Sequence, residues 1–158
     1  MIRMNIFNDF HQRFVISLLE NQVEFLIVGG LSVVFHGYIR TTGDMDLWVR
    51  PTNENKLKLL PVMVRFGLSA DSIDLLNSKD FTETLAFHFN NPPEKIEFLT
   101  SVSGLNFNNA LERCDHLNIE NYDVPFLSFE DLIINKMVAR RLKDQADVEE
   151  LQKIHRKQ

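Results

Sequence analysis

Apolar positions along the chain alternate between two spacings, and the changes of spacing mark out its elements. Ile6, Phe10, Phe14, Ile16, Leu18 and Leu19 fall mostly three or four apart, which predicts an amphipathic first helix ending near Asn21. Val23 to Val28 is a short unbroken apolar run that meets Gly29-Gly30, the pattern of a buried strand entering a tight turn. Leu31 to His36 then reads as a short helix with Gly37 in the stop position. Met45 to Val49, bounded by Gly43 and Pro51, predicts a second strand. Beyond Pro51-Thr52, Leu57, Leu59, Leu60, Val62, Met63 and Phe66 predict a helix that stops at Gly67.

The second half is more broken. Asp71 to Leu76 suggests a short helical turn, and Asn90 to Pro93 separates two strand-like runs, Thr84 to Phe89 and Lys95 to Leu99. Asn109 to Arg113 reads as helical, and His116 to Ile119 with Tyr122 to Val124 as a hairpin. Ser128 followed by Glu130 and Asp131 is a helix start, with Ile133, Ile134, Met137 and Val138 continuing it; Gln145 to Ile154 predicts a final helix. No repeat, low-complexity stretch or linker interrupts the 158 residues. The expectation is a single α/β (α+β) domain over 1–158, a small mixed β-sheet flanked by helices, with its C-terminal helices starting at about residue 128.

Composition narrows the function classes. Hydrophobic residues make up 44% and charged residues 25%, which excludes a disordered chain. Thirteen phenylalanines stand out, and hydrophobic packing accounts for most of them. No apolar run approaches the roughly 20 residues of a membrane span, Met1 to Glu20 does not resemble a signal peptide, and the lone Cys114 has no internal disulfide partner. A reducing cytoplasm is therefore expected. The net charge of −5 argues against a duplex nucleic acid partner but is compatible with a metal–nucleotide held by a few local cations.

Three features carry candidate chemistry. At Gly29-Gly30 the backbone can approach a phosphate, although an ordinary strand-to-helix turn also favours glycine. Asp44 and Asp46 are two apart at a strand, so both carboxylates share a face, about 6.5–7 Å apart along the chain. Asp is disfavoured in strands and two unpaired carboxylates repel, whereas divalent cations would draw on both. Magnesium suits such hard oxygen ligands, and manganese is the alternative. Glu97, inside Lys95-Ile96-Glu97-Phe98-Leu99, is a third acid that a neighbouring strand can bring beside the pair, as metal ligand or base; a solvent-facing glutamate gives the same pattern. Lys136, Arg140 and Lys143 fall at helical spacings on one face, either as a solvated stripe or as charge for a triphosphate. Asp144 and Asp147 either orient those cations or make surface pairs. No Walker-type loop, zinc-spaced His/Cys cluster or glycine-flanked serine supports another chemistry.

Val28-Gly29-Gly30, thirteen intervening residues and Asp44-Met45-Asp46-Leu47 resemble the signature of the DNA polymerase β-like nucleotidyltransferase superfamily. More narrowly, Gly29-Gly30 with His36-Gly37, Arg40, Thr42, Asp44 and Asp46 is similar to bacterial proteins around the AbiEii toxin. Ile96 to Thr100 stands where those proteins carry a third acid, here Glu97 in place of the commoner aspartate. Lys136, Arg140, Lys143-Asp144 and Asp147 resemble their C-terminal lysine and acidic helix motif. The resemblance spans about Phe25 to Leu151. It implies a Mg2+-dependent enzyme moving a nucleoside monophosphate from an NTP to a protein, tRNA or small-molecule acceptor. Asp44, Asp46 and Glu97 would be catalytic and metal-binding, and Gly29, Gly30, Arg40, Thr42 and Lys136 would hold the nucleotide. It also implies a toxin–antitoxin or phage-defence setting with a cognate toxin or antitoxin partner. The rival class is an inactive transferase fold kept as a binding module, which a contiguous patch of exposed Phe or an averted Glu97 would favour.

Overall fold

Strand alternation organises the molecule around one six-stranded mixed sheet. The computed structural model describes residues 6–39 and 42–157. Helix α1 (Asp9–Glu20) is followed by β1 (Phe25–Val28), α2 (Gly29–Phe35), β2 (Met45–Val49), α3 (Asn53–Arg65) and α4 (Ala70–Asn77). Then come β3 (Ala86–Phe89), β4 (Ile96–Leu99), α5 (Phe107–Arg113), β5 (Asp115–Ile119), β6 (Tyr122–Phe126), α6 (Phe129–Ala139) and α7 (Leu142–Arg156). The strand order is β3-β4-β2-β1-β6-β5. β1 runs antiparallel to β2 and parallel to β6, while β2 runs parallel to β4. The hairpins β3–β4 and β5–β6 complete the two edges.

The period of two along each strand sorts side chains between two cores. Phe25, Ile27, Met45, Leu47, Val49, Ile96 and Phe98 face one side, where they pack with Phe14 and Leu18 of α1 and Leu59 and Val62 of α3. Leu26, Val28 and Trp48 face the other, against Phe107 and Ala110 of α5, Leu132 of α6 and Leu151 of α7. Trp48 meets the Phe107 ring edge-on at 5.2 Å, and its indole N–H donates to the Thr100 carbonyl. None of the thirteen phenylalanines is exposed; Phe14 alone touches the rings of Phe10, Phe66, Phe89 and Phe98.

Local signals end the helices as the sequence suggests. Side chains of Asn8, Thr52, Ser69, Asn106 and Ser128 each cap a helix by accepting from a backbone N–H three residues on. Gly37 and Gly67, at φ of 107° and 100°, follow α2 and α3 in the left-handed conformation that glycine tolerates. The C-terminal region departs from expectation. Lys136, Arg140 and Lys143 do not share one helical face, because Arg140 adopts the left-handed conformation and ends α6. Lys143 belongs to α7, which folds back beside α6.

Candidate active site

The same alternation that builds the cores places Asp46 and Glu97 on one face. They are direct partners in the parallel β2–β4 register, and both stand on the side of Trp48 rather than of Leu47 and Phe98. Asp44 lies one residue before β2, two positions from Asp46. A cavity of about 500 Å³ opens over this point, lined by Gly29, Gly30, Asp44, Asp46 and Glu97 from the sheet end and by Lys136, Arg141 and Lys143 from the C-terminal helices. Ser101, Ser103 and Asn135 add neutral polar groups.

The two glycines form the first turn of α2 rather than a loop preceding it. Gly29 has φ of 65°, and a Cβ built there would lie 2.1 Å from Oδ2 of Asp46. The glycine is therefore required twice, by backbone conformation and by the close seating of the carboxylate.

Electrostatics single out Asp46. Burial, the charge of Glu97, a hydrogen bond with the Glu97 side chain and the charge of Asp44 raise its pKa from 3.8 to about 6, with Lys143 opposing. Lys95 supplies the adjoining positive charge, its Nζ 3.5 Å from Asp44 Oδ2 and 3.4 Å from Glu97 Oε1. Desolvation alone would lower the Lys95 pKa, but the two carboxylates outweigh it and raise it. The Lys95 backbone is fixed independently: its carbonyl accepts from the Met45 N–H and lies 3.1 Å from Nε2 of the buried His11, whose pKa burial lowers. Among the described residues, no three acidic, imidazole or thiol groups stand arranged as the ligands of a cation.

Lys136 is arranged differently. Its ammonium is buried and bound to Asp144 Oδ1 at 3.2 Å and Asp147 Oδ2 at 2.9 Å. Asp144 also accepts from Arg141 Nε at 2.6 Å. Burial raises the pKa of Asp144, but Arg141 and Lys136 together outweigh it and leave it below the ordinary carboxylate value. The two aspartates are thus buried partners of Lys136 and not surface ion pairs.

Of the residues singled out from sequence, Gly29, Gly30, Asp44, Asp46, Glu97 and Lys136 come together at the cavity. The Thr42 hydroxyl donates to the Asp44 carbonyl, within the segment entering β2, and Thr42 is not among the cavity-lining residues. Arg40 lies outside the described residues. Arg140 lines a separate groove with Met137, Val138 and Val148. His36 ends α2, its Nε2 lying 2.7 Å from the Leu127 carbonyl. The half-buried Cys114 has a thiol pKa raised by burial and by Asp115. Sequence reasoning passed over Lys95 and Arg141. Lys95 was legible, since it stands two before Glu97 as Asp44 stands two before Asp46; Arg141 depends on the turn between α6 and α7.

A family model described as a nucleotidyltransferase of unknown function (DUF6036) matches residues 4–156. Comparison with curated proteins found no match. Among solved structures, the lincosamide antibiotic adenylyltransferase LnuA with lincomycin bound superposes with a TM-score of 0.57 at 15% identity, covering 96% of this chain and 99% of that one. TM1012 from Thermotoga maritima, assigned as a nucleotidyltransferase, gives 0.54 at 13% identity, covering 94% and 91%. At these identities the likeness is one of fold.

Proposed function

This chain belongs to that family of nucleotidyltransferases, and from this we propose that it transfers a nucleoside monophosphate from an NTP to an acceptor hydroxyl in the cavity at Asp44, Asp46 and Glu97. The observation that carries the reading is the register pairing of Asp46 with Glu97 beside Gly29, which gathers carboxylates where a phosphate chain can approach the backbone. In the reaction, the acceptor oxygen bonds to the α-phosphorus while the bond to the β-phosphate oxygen breaks, and pyrophosphate leaves with that electron pair. Glu97, the register partner of Asp46, takes the acceptor proton. The N–H-bearing turn at Gly29-Gly30, with Arg141 and Lys143, positions the phosphates; Thr42, bonded to Asp44, and Lys136, bonded to Asp144 and Asp147, support the site less directly, and Arg40 belongs to the same proposed nucleotide-binding set.

The donor set suits Mg2+ or Mn2+: three carboxylates with hard oxygens line one cavity, and burial together with the charges of Glu97 and Asp44 raises the Asp46 pKa, so a cation is needed to favour its ionised form. Asp44 and Asp46 would hold the ion, with Glu97 completing the set; when bound, it would neutralise charge on the phosphate oxygens. The acceptor is a small molecule, a protein side chain or a tRNA end, and LnuA, named for a lincosamide, favours the first. A cytoplasmic place in a toxin–antitoxin or phage-defence pair belongs to the same proposal, carried by the AbiEii resemblance. An inactive binding module is disfavoured, because no phenylalanine is exposed and Glu97 turns toward Asp46.

Thermal melting with Mg-ATP, Mg-GTP, Mg-CTP and Mg-UTP, paired with transfer of α-phosphate label, tests the reading. One nucleotide should stabilise the protein and donate label, and Asp44→Ala should lose transfer with its circular dichroism unchanged. Absence of a shift with every nucleotide would overturn it.

A further inference from the structure

We infer that Lys95 is a resident counter-ion that holds the place of a divalent cation between Asp44 and Glu97 and gives way when the cation loads. The inference rests on the metal–nucleotide reading above and concerns a residue which that reading does not use. Three observations carry it. The ammonium is shared almost evenly, 3.5 Å from one carboxylate and 3.4 Å from the other, so it bridges two proposed ligands, one just before β2 and one in β4. Glu97 is also the register partner of Asp46, so the ammonium is attached to the same group of acids that would hold the ion. The Lys95 main chain is held by Met45 and His11, while its side chain is a quarter exposed, so the stem can swing into solvent without disturbing the strand.

The physical consequence is competition. A lone cation arriving at Asp44 and Glu97 must displace a charge already there, whereas the same carboxylates without Lys95 would repel one another and attract it more strongly. Lys95 would thus keep the site assembled before loading and weaken binding of metal that arrives without a nucleotide.

Mn2+ binding without nucleotide, followed by electron paramagnetic resonance or calorimetry, tests this directly. Lys95→Met should bind Mn2+ at least about tenfold more tightly than the wild type, the lower limit set by removing a unit charge about 4 Å from the ion under water-like screening. Lys95→Arg, which keeps the charge, should match the wild type. Equal or weaker binding by Lys95→Met overturns the inference, as does tight binding by Lys95→Arg. Should Lys95→Met fail to fold, Lys95→Gln takes its place. A wild-type structure soaked in Mn2+ gives an independent answer, since a Lys95 ammonium still bridging both carboxylates beside a bound ion also overturns competition. If the wild type and every variant fail to bind Mn2+, the metal reading itself falls with it; equal binding by wild type and Lys95→Met defeats only the role of Lys95.

Discussion

Two assemblies of acid and lysine sit within one cavity wall, and they differ in how far their charges are matched. In the C-terminal helices, Asp144 and Asp147 surround the buried Lys136, and Arg141 adds a second cation to Asp144. Two carboxylates meet two cations, and the aspartates and lysine are almost wholly buried. At the sheet end, Asp44 and Glu97 of the three acids Asp44, Asp46 and Glu97 are paired, among the described residues, with the ammonium of Lys95, and the Glu97 side chain remains 42% exposed. Among the described residues these three carboxylates outnumber the ammonium ion-paired with them, and they stand beside a cavity. The matched assembly has the character of a fastening, closed to solvent. The unmatched one has the charge and access that a divalent cation with a triphosphate requires.

Removing the lysine of the closed assembly should have the largest effect on stability. Lys136→Met leaves Asp144 and Asp147 buried without the cation between them, and loss of one partner of a buried ionic group costs about 3–5 kcal/mol. Urea unfolding of the variant measures it. A loss below 1 kcal/mol accompanied by much weaker nucleotide binding would reverse the assignment and make Lys136 a ligand group.

The open assembly should respond to pH in the opposite sense from a stabilising ion pair. Asp46 has a folded-state pKa of about 6 against an ordinary 3.8, so the folded state retains a proton that the unfolded chain releases. Its contribution to stability is therefore greatest below about pH 4 and is lost as pH rises through 6. At about 1.4 kcal/mol per pKa unit, the loss approaches 3 kcal/mol. Asp46→Asn imitates the protonated form. In metal-free buffer the two proteins should be similarly stable at pH 4, and the variant should be more stable at pH 8 while inactive. Mg2+ should narrow the gap by favouring the ionised wild-type carboxylate. Parallel stability curves for the two proteins from pH 4 to 8 would show that Asp46 carries no such burden.

The difference between the assemblies also explains what the sequence could reveal. Met45 to Val49, with Asp46 inside it and Asp44 just before it, was legible because strand periodicity, glycine and acid spacing all point one way there. Glu97 follows from the same alternation once β4 lies parallel to β2, a pairing that no local signal specifies. Lys136, Arg140 and Lys143 looked like one basic helical face because they stand four and three residues apart. That spacing applies only within a continuous helix, and the left-handed Arg140 interrupts it. Whether a charge is matched depends on elements distant in sequence, so burial of Asp144 and the reach of Lys95 to Asp44 emerge only with the fold.

Arg141 is where the two assemblies meet, and its removal should have the smallest effect on stability. Its guanidinium binds Asp144 through Nε at 2.6 Å, yet its side chain is 64% exposed and lines the cavity. In Arg141→Ala, Asp144 keeps Lys136 at 3.2 Å and the residue-141 backbone N–H at 3.2 Å, so its charge stays compensated. The stability loss in urea should remain below about 1 kcal/mol, as for exposed ion pairs. Nucleotide affinity should fall about ten- to a hundredfold if the guanidinium also reaches phosphate, since a charge-assisted hydrogen bond contributes roughly 1.5–3 kcal/mol. Arg141→Lys separates charge from shape: it keeps the positive charge but cannot reproduce the two-pronged contact, so it should recover only part of the affinity. A loss above 2 kcal/mol with unchanged nucleotide affinity would place Arg141 wholly in the closed assembly and leave Lys143 as the cavity's phosphate-facing cation.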